Sequence, residues 1–330
     1  MGRASIASVA RKAGVSLSTV SRVLNEPGKV NPDTRRQVFD AMRELEYTPV
    51  ARRRAKRQQS GMVALAVPNL HLDSVIEFFR ELQRVLLPFD KHLIVLDLEG
   101  ERNFFEYQRF RELPLDQYDA VVAFSLLLDR QAADLLERHT VPSVVVQSRN
   151  PYLFSINNNN YSGGFDAASY LLGRGYRRPA FVGWNFENET LRDRRAGYRA
   201  ALEQAGIDTA TLPEETGPLD FHGGMEAMER LLELPEAPDC VFFSCDVMAL
   251  GGLEACRRRC LPVPGALGIM GFDDIAQAEW WGLTTMNQHL KEKAEAVAGY
   301  LSDRWAGKQP HERPMEITIS SRVVARSTTR

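Results

Sequence analysis

Two groups of side chains near the start of the chain have the chemistry to bind phosphate. Ser18, Ser21, Arg22 and Asn25 recur at helical spacing, so they share one face of a helix and present hydroxyl, guanidinium and amide donors there. The second group is a basic run between positions 52 and 57, which contains four arginines and one lysine. Both groups indicate a negatively charged partner.

Charge is divided unevenly along the chain. Residues 1–60 contain 13 lysines and arginines against 5 aspartates and glutamates, which leaves 28 basic and 38 acidic residues for the rest. The overall net charge of −2 therefore hides a basic head on an acidic body. This distribution favours contacts between one end of the chain and a nucleic-acid backbone, with an affinity that falls as salt rises. The alternative is a solvated basic tail, which would need no folded elements.

Three short helices are predicted to position the first group. Gly14 can end the first helix, Ser16 can cap the second, and Pro32 suits the first position of the third. The apolar residues that would pack between the helices are Ile6, Val9, Ala10 and Ala13, then Val20, Val23 and Leu24, then Val38, Ala41, Met42 and Leu45. Because three such stripes can close a small core, the folded interpretation is favoured over the tail.

Residues 10–25, Ala-Arg-Lys-Ala-Gly-Val-Ser-Leu-Ser-Thr-Val-Ser-Arg-Val-Leu-Asn, resemble the signature of the lac-repressor/galactose-repressor family of bacterial transcription regulators. The resemblance continues through residues 30–35 and 45–49 and, more loosely, along the whole chain. It implies an N-terminal all-α helix-turn-helix domain (residues 1–48), a hinge (49–60), and an α/β periplasmic-binding-protein-like effector and dimerisation domain (61–330). That domain would have two doubly wound parallel-sheet lobes joined by three crossings: lobe 1 at 61–157 and 290–318, and lobe 2 at 158–289 and 319–330.

The resemblance also implies which residues bind double-stranded DNA. In the family the second helix enters the major groove, and the positions that read base edges match Leu17, Ser18 and Arg22. Arg22 can pair bidentately with guanine, and Leu17 can contact a thymine methyl group. Side chains suited to phosphate contacts, which set register without reading sequence, are Ser5, Ser16, Thr19, Ser21, Asn25 and Tyr47. For these residues the alternative is helix capping or plain solvation.

The hinge departs from the family pattern. The family has an Ala-Arg-x-Leu segment here, whose leucine inserts into the minor groove at the operator centre. Residues 49–57 read Pro-Val-Ala-Arg-Arg-Arg-Ala-Lys-Arg and contain no leucine. The side chains that could instead contact phosphates or enter a narrow minor groove are Arg52, Arg53, Arg54, Lys56 and Arg57. We therefore expect weaker bending of operator DNA than a leucine wedge produces.

After residue 61 the pattern changes to apolar strands that alternate with amphipathic helices. The predicted strands are 62–67, 92–98, 120–124, 143–146, 179–183, 240–243 and 267–271, and the predicted helices are 76–87, 104–113, 131–137, 164–172, 194–205, 225–232 and 247–259. This alternation is typical of parallel, doubly wound lobes. Ligands of such folds bind beyond the carboxyl ends of the strands, and two facing lobes turn that edge into a cleft.

Two charged residues near strand ends are the strongest candidates for binding an effector. Arg194 opens an Arg-Arg-Ala-Gly-Tyr segment similar to a family segment whose leading arginine contacts the effector. Asp273, in Gly-Phe-Asp-Asp, matches a family aspartate that accepts hydrogen bonds from ligand hydroxyls. The alternative for Arg194 is a surface salt bridge. Three aromatic residues could pack against a sugar ring, with core packing as the alternative: Phe124, Trp184 and Trp281.

Departures from the family near the cleft bear on the ligand. A usual carboxylate is absent at Asn159–Asn160, and Cys245 stands where an amide could both donate and accept hydrogen bonds. A Pro-Phe-Phe-like stretch is replaced around residues 73–75, so His71 or Asp73 could face the cleft. These changes predict a pocket for a sugar, sugar acid or related metabolite that differs from a standard hexose site.

Other classes of protein fit the sequence less well. Nucleophile-elbow, phosphate-loop and dinucleotide motifs are absent, and neither the six histidines nor the four cysteines have metal or redox spacing, so we expect no enzyme activity, cofactor or metal. A periplasmic sugar-binding protein would share the two lobes but should carry a secretion signal and no helix-turn-helix. With neither that signal nor a long apolar stretch, we expect a cytoplasmic protein that does not contact membranes.

The resemblance implies a homodimer that places two recognition helices in successive major grooves of a pseudopalindromic operator. A small molecule in the cleft would act through its different affinities for two arrangements of the lobes. Most relatives are repressors that an inducer releases from DNA. A repressor that needs a corepressor, or a regulator that activates transcription, would use the same parts, and the sequence leaves open which of these applies. Residues 323–330 are not followed by a leucine-heptad tail, so we expect a dimer rather than a tetramer.

Overall fold

The computed structural model describes residues 6–25, 30–45, 60–98, 110, 112–186, 188–308 and 314–330, without the side chains of residues 24 and 25. The chain divides into two compact units, Met1–Gln58 and Gln59–Arg330. The first unit is helical in its described part, and the second contains two parallel sheets with helices around them. None of the described helices is long and apolar enough to span a bilayer.

The first unit contains the three predicted helices, α1 (Ile6–Lys12), α2 (Leu17–Asn25) and α3 (Pro32–Glu44). Their core includes Val9, Val20 and Val38, which are completely buried. Gly14 has a φ of 63°, a left-handed conformation that costs glycine little and lets the chain turn between α1 and α2. The helix-turn-helix prediction is therefore confirmed, and apolar packing between the helices holds it together.

The second unit follows the alternation of strands and helices that the sequence predicts. Its described strands are β1 (Met62–Val67), β2 (His92–Asp97), β3 (Ala120–Phe124), β4 (Ser143–Val146), β5 (Phe154–Asn158), β6 (Pro179–Trp184), β7 (Glu214–Gly217), β8 (Cys240–Phe243), β9 (Gly268–Met270), β10 (Thr285–Asn287), β11 (Glu316–Ile319) and β12 (Arg322–Val324). Its described α-helices are α4 (Asp73–Leu86), α5 (Arg130–Arg138), α6 (Asn160–Gly173), α7 (Glu189–Gln204), α8 (Phe221–Leu232), α9 (Asp246–Arg258), α10 (Ala276–Trp280) and α11 (Leu290–Trp305).

Lobe 1 is built on a sheet with the strand order β11-β5-β4-β3-β1-β2, in which every pair is parallel. Both faces of this sheet are covered. In β1, Val63 and Leu65 belong to the core beneath α4 and α11, whereas Ala64 and Ala66 belong to the core on the α5 side. Burial on both faces explains why the sequence of β1 reads as a continuous apolar run rather than an alternating one.

Lobe 2 has a sheet with the strand order β7-β6-β8-β9, and α6 to α9 pack around it. Helices α6 and α7 approach so closely that a Cβ atom at Gly164 would lie 2.0 Å from the carbonyl oxygen of Arg194. Likewise, a Cβ atom at Gly197 would lie 1.9 Å from the carbonyl oxygen of Tyr161. The two glycines thus bring the backbones into contact and fix the position of Arg194.

Three segments of the chain connect the lobes. The first joins β5 to α6, the second joins β10 to α11, and the third joins β11 to β12, which pairs antiparallel with β10 beside lobe 2. The two-lobed parallel-sheet fold is therefore as predicted.

Several individual elements differ from the predictions. Strand β5, which lies between β11 and β4 in the sheet of lobe 1, was not predicted because it reads Phe-Ser-Ile-Asn-Asn. Its polar residues are nevertheless buried, and Asn157 Nδ2 donates to Glu316 Oε1 at 2.9 Å. Helix α7 begins five residues before the predicted start, because Asn188 accepts a capping hydrogen bond from the amide of Leu191. The predicted helix at 104–113 lies almost entirely outside the described residues.

Candidate functional site

A cavity of about 450 Å³ lies between the two lobes, at the carboxyl ends of their parallel strands. Its wall contains polar, apolar and charged side chains from both lobes. The lining residues are Pro68, Asn69, Leu72, Asp73, Ser74, Ser125, Leu127, Gln147 and Ser148 from lobe 1, and Trp184, Phe186, Asn188, Glu189, Thr190, Arg194, Leu219, Cys245, Val247, Asp273, Ile275 and Gln288. The mixture is suited to a small molecule that carries both apolar surface and hydrogen-bonding groups.

Three of the lining residues hold an unusual backbone conformation at the ends of strands. Ser125 follows β3 with a φ of 55°, Gln147 follows β4 with a φ of 63°, and Asp273 lies shortly after β9 with a φ of 140°. Non-glycine residues rarely adopt positive φ, and such strain concentrates where function requires a side chain in one position. The strained residues mark the rim of the cavity on both lobes.

Arg194 is 2% exposed, so the surface salt-bridge interpretation does not apply. Its Nε donates to Asn160 Oδ1 at 3.0 Å, and its Nη1 donates to the carbonyl oxygen of Ser244 at 2.5 Å. The guanidinium lies over the ring of Phe272, 3.6 Å from the ring centroid. Burial lowers the pKa of Arg194, and the nearby carboxylate of Asp273 opposes that shift. Arg194 is thus a cation held in one orientation at the cavity wall.

Asp273 lies opposite this cation, with 3.9 Å between its Oδ1 and Nη1 of Arg194. The same oxygen accepts a hydrogen bond from Gln288 Nε2, and the side-chain oxygen of Gln288 accepts one from Asn158 Nδ2. Burial raises the pKa of Asp273 to about 6, although Arg194 acts in the opposite direction. The aspartate is therefore connected to the segments that cross between the lobes.

A second carboxyl group, Asp246, is completely buried behind the cavity wall. It accepts hydrogen bonds from the Thr285 hydroxyl and from the backbone amide of Ile275 at 3.0 Å. Burial and the charge of Asp273 raise its pKa to about 8, despite these hydrogen bonds. Room for the carboxyl group comes from Gly271, where a Cβ atom would lie 2.1 Å from Asp246 Oδ1.

Two other predicted effector contacts, Trp184 and Cys245, also line the cavity. Trp184 is 5% exposed, and its indole Nε1 has no hydrogen-bond partner among the described residues. Burial raises the pKa of the Cys245 thiol well above its ordinary value. Cys245 therefore contributes a neutral thiol rather than a reactive thiolate.

The other two predicted aromatic contacts lie elsewhere. Phe124 is 1% exposed and stacks on Phe78 with 4.6 Å between the ring centroids, because the last residue of β3 points into the core of lobe 1. Trp281 directly follows α10 and is 44% exposed, and it does not line the cavity. For Phe124 the core-packing alternative is the correct one. Of the two loop residues considered near the first strand, Asp73 lines the cavity and His71 does not.

Contacts between polar side chains that join the lobes across the cavity include two hydrogen bonds. Gln277 Nε2 donates to Asp73 Oδ1 at 2.7 Å, and Arg149 Nη1 donates to Glu189 Oε1 at 3.1 Å. Because Asp73 and Glu189 also line the cavity, a bound molecule would contact the same carboxylates that join the lobes.

In the first unit, α2 presents the polar face that the sequence predicts. Leu17 is 53% exposed, and Ser18 and Arg22 are also exposed. Ser16 Oγ accepts a hydrogen bond from the Thr19 amide at 3.1 Å, so Ser16 caps α2. Its oxygen also lies 2.7 Å from Ser18 Oγ and 2.8 Å from Thr19 Oγ1, which groups three hydroxyls at the start of the helix.

Ser21, the remaining described member of the predicted DNA-binding set, is half-buried on α2. The side chain of Asn25 is not among the described side chains. The members that lie outside the described residues are Ser5, Tyr47, Arg52, Arg53 and Lys56. The hinge prediction, including its lack of a leucine, concerns that same segment.

Comparisons with known proteins fit both units. Residues 5–50 match "Bacterial regulatory proteins, lacI family", and residues 168–329 match "Periplasmic binding protein-like domain". The HTH-type transcriptional repressor CytR of Escherichia coli (strain K12) is 31% identical over 310 residues, which are 92% of this chain and 91% of that protein. This chain belongs to the LacI family. It is a DNA-binding transcriptional regulator of that family, with a helix-turn-helix head and a two-lobed body.

Other LacI-family proteins are similar along nearly the whole chain. The ribose operon repressor of Escherichia coli (strain K12) is 29% identical over 322 residues, which are 96% of this chain and 97% of the repressor. The solved structure described as "transcriptional regulator CelR-cellobiose complex" has a TM-score of 0.70 and 26% identity, and the alignment covers 99% of this chain and 100% of that chain.

Several cavity residues of this LacI-family chain were not predicted from its sequence. Ser125 and Gln147 directly follow two correctly predicted strands, so the strand-end rule could have found them in place of Phe124. The sequence offers no comparable signal for Gln288 or Glu189. Gln288 depends on the crossing between the lobes, and Glu189 depends on where α7 begins.

Proposed function

We propose that this protein represses transcription by binding operator DNA through α2, and that a sugar or closely related polyol in the interlobe cavity controls this binding. The observation that carries the proposal is the convergence of Arg194, Asp273, Trp184 and Cys245 on one cavity of about 450 Å³. These residues are up to 89 positions apart in sequence, yet each follows or faces a strand end of lobe 2.

The polar groups at the cavity have the chemistry that a sugar requires. A fixed guanidinium, and an indole N–H that has no partner among the described residues, can donate to ring or hydroxyl oxygens, and carboxylates can accept from hydroxyls. The face of Trp184 and the side chain of Leu219 supply apolar surface for the ring carbons. The relatives named for ribose and cellobiose support this ligand class.

On the DNA side, the proposal gives base reading to Leu17, Ser18 and Arg22, and backbone contacts to the hydroxyls at the start of α2. Two copies of the chain would present two such helices to the half-sites of a pseudopalindromic operator. The protein would then act in the bacterial cytoplasm, at the nucleoid when it is bound, and it would need no catalytic activity. Basic residues 52–57 would contact the minor groove between the half-sites.

A selection experiment tests the proposal and identifies the operator sequence at the same time. Full-length protein is used to select binding sites from a random duplex library, and the affinity for the selected site is measured by fluorescence anisotropy with and without pentoses, hexoses, disaccharides and nucleosides. We expect a site with two-fold symmetry and at least one sugar that weakens binding. A sugar that strengthens binding would identify a corepressor, and the absence of any specific site would contradict the proposal.

A matched pair of variants separates base reading from phosphate contacts. Arg22→Ala should weaken binding to the selected site by about 1–3 kcal/mol and relax sequence preference at one base pair in each half-site. Arg11→Ala removes an equal charge from the exposed end of α1 and should weaken specific and non-specific binding by similar factors. Equal effects of both variants on specificity would contradict the assignment of Arg22.

A further inference from the structure

The charged residues of the interlobe cavity are mostly acidic. The charged side chains that line the cavity are the carboxylates of Asp73, Glu189 and Asp273 and the single guanidinium of Arg194. Arg194 and Asp273 face each other at 3.9 Å and largely compensate one another. The carboxylates of Asp73 and Glu189 are left, one from each lobe.

Three helices begin at this cavity, and the positive ends of their dipoles would ordinarily favour an anion. Leu72, Asp73 and Ser74 line the cavity at the start of α4, and Glu189 and Thr190 do so at the start of α7. At α9 the lining residues are Cys245 and Val247, on either side of the first helical residue. Each helix, however, carries its own acidic residue in the first turn: Asp73 in α4, Glu189 in α7 and Asp246 in α9. At α4 and α7 the protein's own carboxylates thus occupy the places where a ligand anion would bind. The carboxyl group of Asp246 is buried behind the cavity wall and does not line the cavity.

The nearby cations do not restore an anion site. Lys293 does not line the cavity, and its buried Nζ has no hydrogen-bond partner among the described residues. Burial lowers the pKa of Lys293 well below its ordinary value. Arg149 donates to Glu189 from outside the cavity wall and also lies 3.6 Å from Glu316. The charge of Arg149 is shared between Glu189 and Glu316, and because the Arg149 side chain is 55% exposed, solvent screens both ion pairs. An excess of negative charge therefore remains at the cavity.

Neutral hydrogen-bond donors, in contrast, are available on both lobes. Gln147 Nε2 on lobe 1 and Trp184 Nε1 on lobe 2 are buried, and neither has a hydrogen-bond partner among the described residues. Both residues line the cavity. A buried donor without a partner costs free energy, which a ligand oxygen can recover.

We infer that the cavity selects an uncharged, hydroxyl-rich effector, and that Asp73 and Glu189 exclude sugar acids and sugar phosphates. This inference rests on the proposed function for the identity of the site, and it narrows the ligand class. Gln147 and Trp184 donate to oxygens of the effector, whereas Asp73 and Glu189 accept from its hydroxyls and repel carboxylates and phosphates.

The first test compares sugars that differ in charge. Isothermal titration calorimetry with the full-length protein measures binding of ribose and ribose 5-phosphate, glucose and glucuronate, and cellobiose and cellobionate. For every pair whose neutral member binds, we expect the anionic member to bind at least tenfold more weakly. In the Asp73→Asn/Glu189→Gln double variant, the ratio of the affinity for the neutral sugar to the affinity for the anionic sugar should fall at least threefold. An anion that binds the wild type as tightly as its neutral parent, or an unchanged ratio in the folded variant, would overturn the inference.

The second test does not depend on knowing the effector. Thermal unfolding is followed with inorganic phosphate, against chloride at equal ionic strength, for the wild type, the double variant and a control. The control, Asp134→Asn/Glu137→Gln, removes two carboxylates from the exposed face of α5 and leaves the basic N-terminal unit unchanged. We expect additional, saturable stabilisation by phosphate in the Asp73→Asn/Glu189→Gln variant alone, because the starts of α4 and α7 then lack their own anions.

Equal phosphate effects in all three proteins would overturn the inference. If phosphate behaves as expected but no neutral sugar binds, the proposed function fails while the exclusion of anions stands. Circular dichroism and binding to non-specific DNA check that the double variant is folded.

Discussion

The two walls of the interlobe cavity differ in how firmly the protein itself holds them. On lobe 2, Arg194 is 2% exposed and donates to two partners, and Asp273 accepts from Gln288. On lobe 1, Ser125 and Gln147 are half-buried, and Gln147 Nε2 has no partner among the described residues. Both walls keep an unpartnered donor among the described residues, Gln147 Nε2 and Trp184 Nε1, but the charged groups of the lobe 2 wall are held in place by protein hydrogen bonds.

The contacts between the walls are weak compared with the cores of the lobes. They include the hydrogen bond between Gln277 and Asp73 and the ion pair between Arg149 and Glu189, in which the Arg149 side chain is 55% exposed. An exposed ion pair such as that between Arg149 and Glu189 contributes about 0–1 kcal/mol. We therefore expect that a change in the angle between the lobes costs little free energy and leaves both cores intact.

Arg194→Ala should have the largest effect on stability. It removes a buried cation, leaves Asp273 without its counter-charge, and opens space beside Phe272, so we expect a loss of about 3–5 kcal/mol in the free energy of unfolding. Urea unfolding followed by tryptophan fluorescence measures it. Ser148→Ala, at the lobe 1 wall, is the control and should change the same quantity by no more than about 0.5 kcal/mol. Similar losses in both variants would remove the contrast between the walls.

Asp246 should make the stability of the protein depend on pH. Because its pKa rises from about 4 in the unfolded chain to about 8 in the folded protein, the folded state binds the proton more tightly. Its contribution to stability is therefore full below about pH 4 and is lost as the pH rises towards and through 8. Asp273, whose folded pKa is about 6, acts in the same direction over a lower range.

Asp246→Asn replaces the protonated carboxyl group with a neutral group of similar size. Chemical unfolding at a series of pH values from 5 to 8 should show a smaller decline in the variant than in the wild type. A decline of equal slope in both proteins would show that Asp246 does not hold a proton in the folded state.

Features of the fold that depend on residues close in sequence could be predicted, whereas features that depend on residues far apart in sequence could not. The burial of β1 on both faces and the cap of α2 are local properties, and they follow from the apolar run at 62–67 and from Ser16. Strand β5 was not predictable in this way, because Ser155 and Asn157 are buried through pairing with β11, about 160 residues later.

The residues of the candidate site also differ in whether the sequence alone could predict them. Arg194 and Asp273 were proposed through a resemblance to family segments, and in the structure both line the cavity, with 3.9 Å between Nη1 and Oδ1. Phe124 was misplaced by a single residue, because the side chain of Ser125, not that of Phe124, reaches the strand end. The acidic residues that begin α4 and α7 have a meaning for ligand charge only when the lobes face each other.

Gln147→Ala should lower affinity for a neutral effector with little change in stability. Its amide Nε2 has no protein partner among the described residues, so its removal breaks no internal hydrogen bond but takes one donor from the ligand. A loss of about 1 kcal/mol, or roughly fivefold in affinity, is expected. Calorimetry with the sugar found by the operator screen measures it, and unchanged affinity would mean that lobe 1 does not contribute a donor to the ligand.

Removal of the ion pair across the cavity should have the smallest effect. A double-mutant cycle of the free energy of unfolding uses Arg149→Gln, Glu189→Gln and the double variant. We expect a coupling energy of about 0.2–1 kcal/mol that decreases at high salt. A coupling energy above about 2 kcal/mol would indicate that the lobes are locked together rather than loosely joined.

The most direct test of control by the cavity compares operator affinity with and without the effector sugar in the wild type and in Arg194→Lys. Lysine keeps a cation near Asp273 but cannot reproduce the forked contacts to Asn160 and the Ser244 carbonyl. We predict that the variant binds operator like the wild type when no sugar is present and that added sugar no longer changes its affinity. A full wild-type response to sugar in this variant would contradict the claim that the interlobe cavity controls DNA binding.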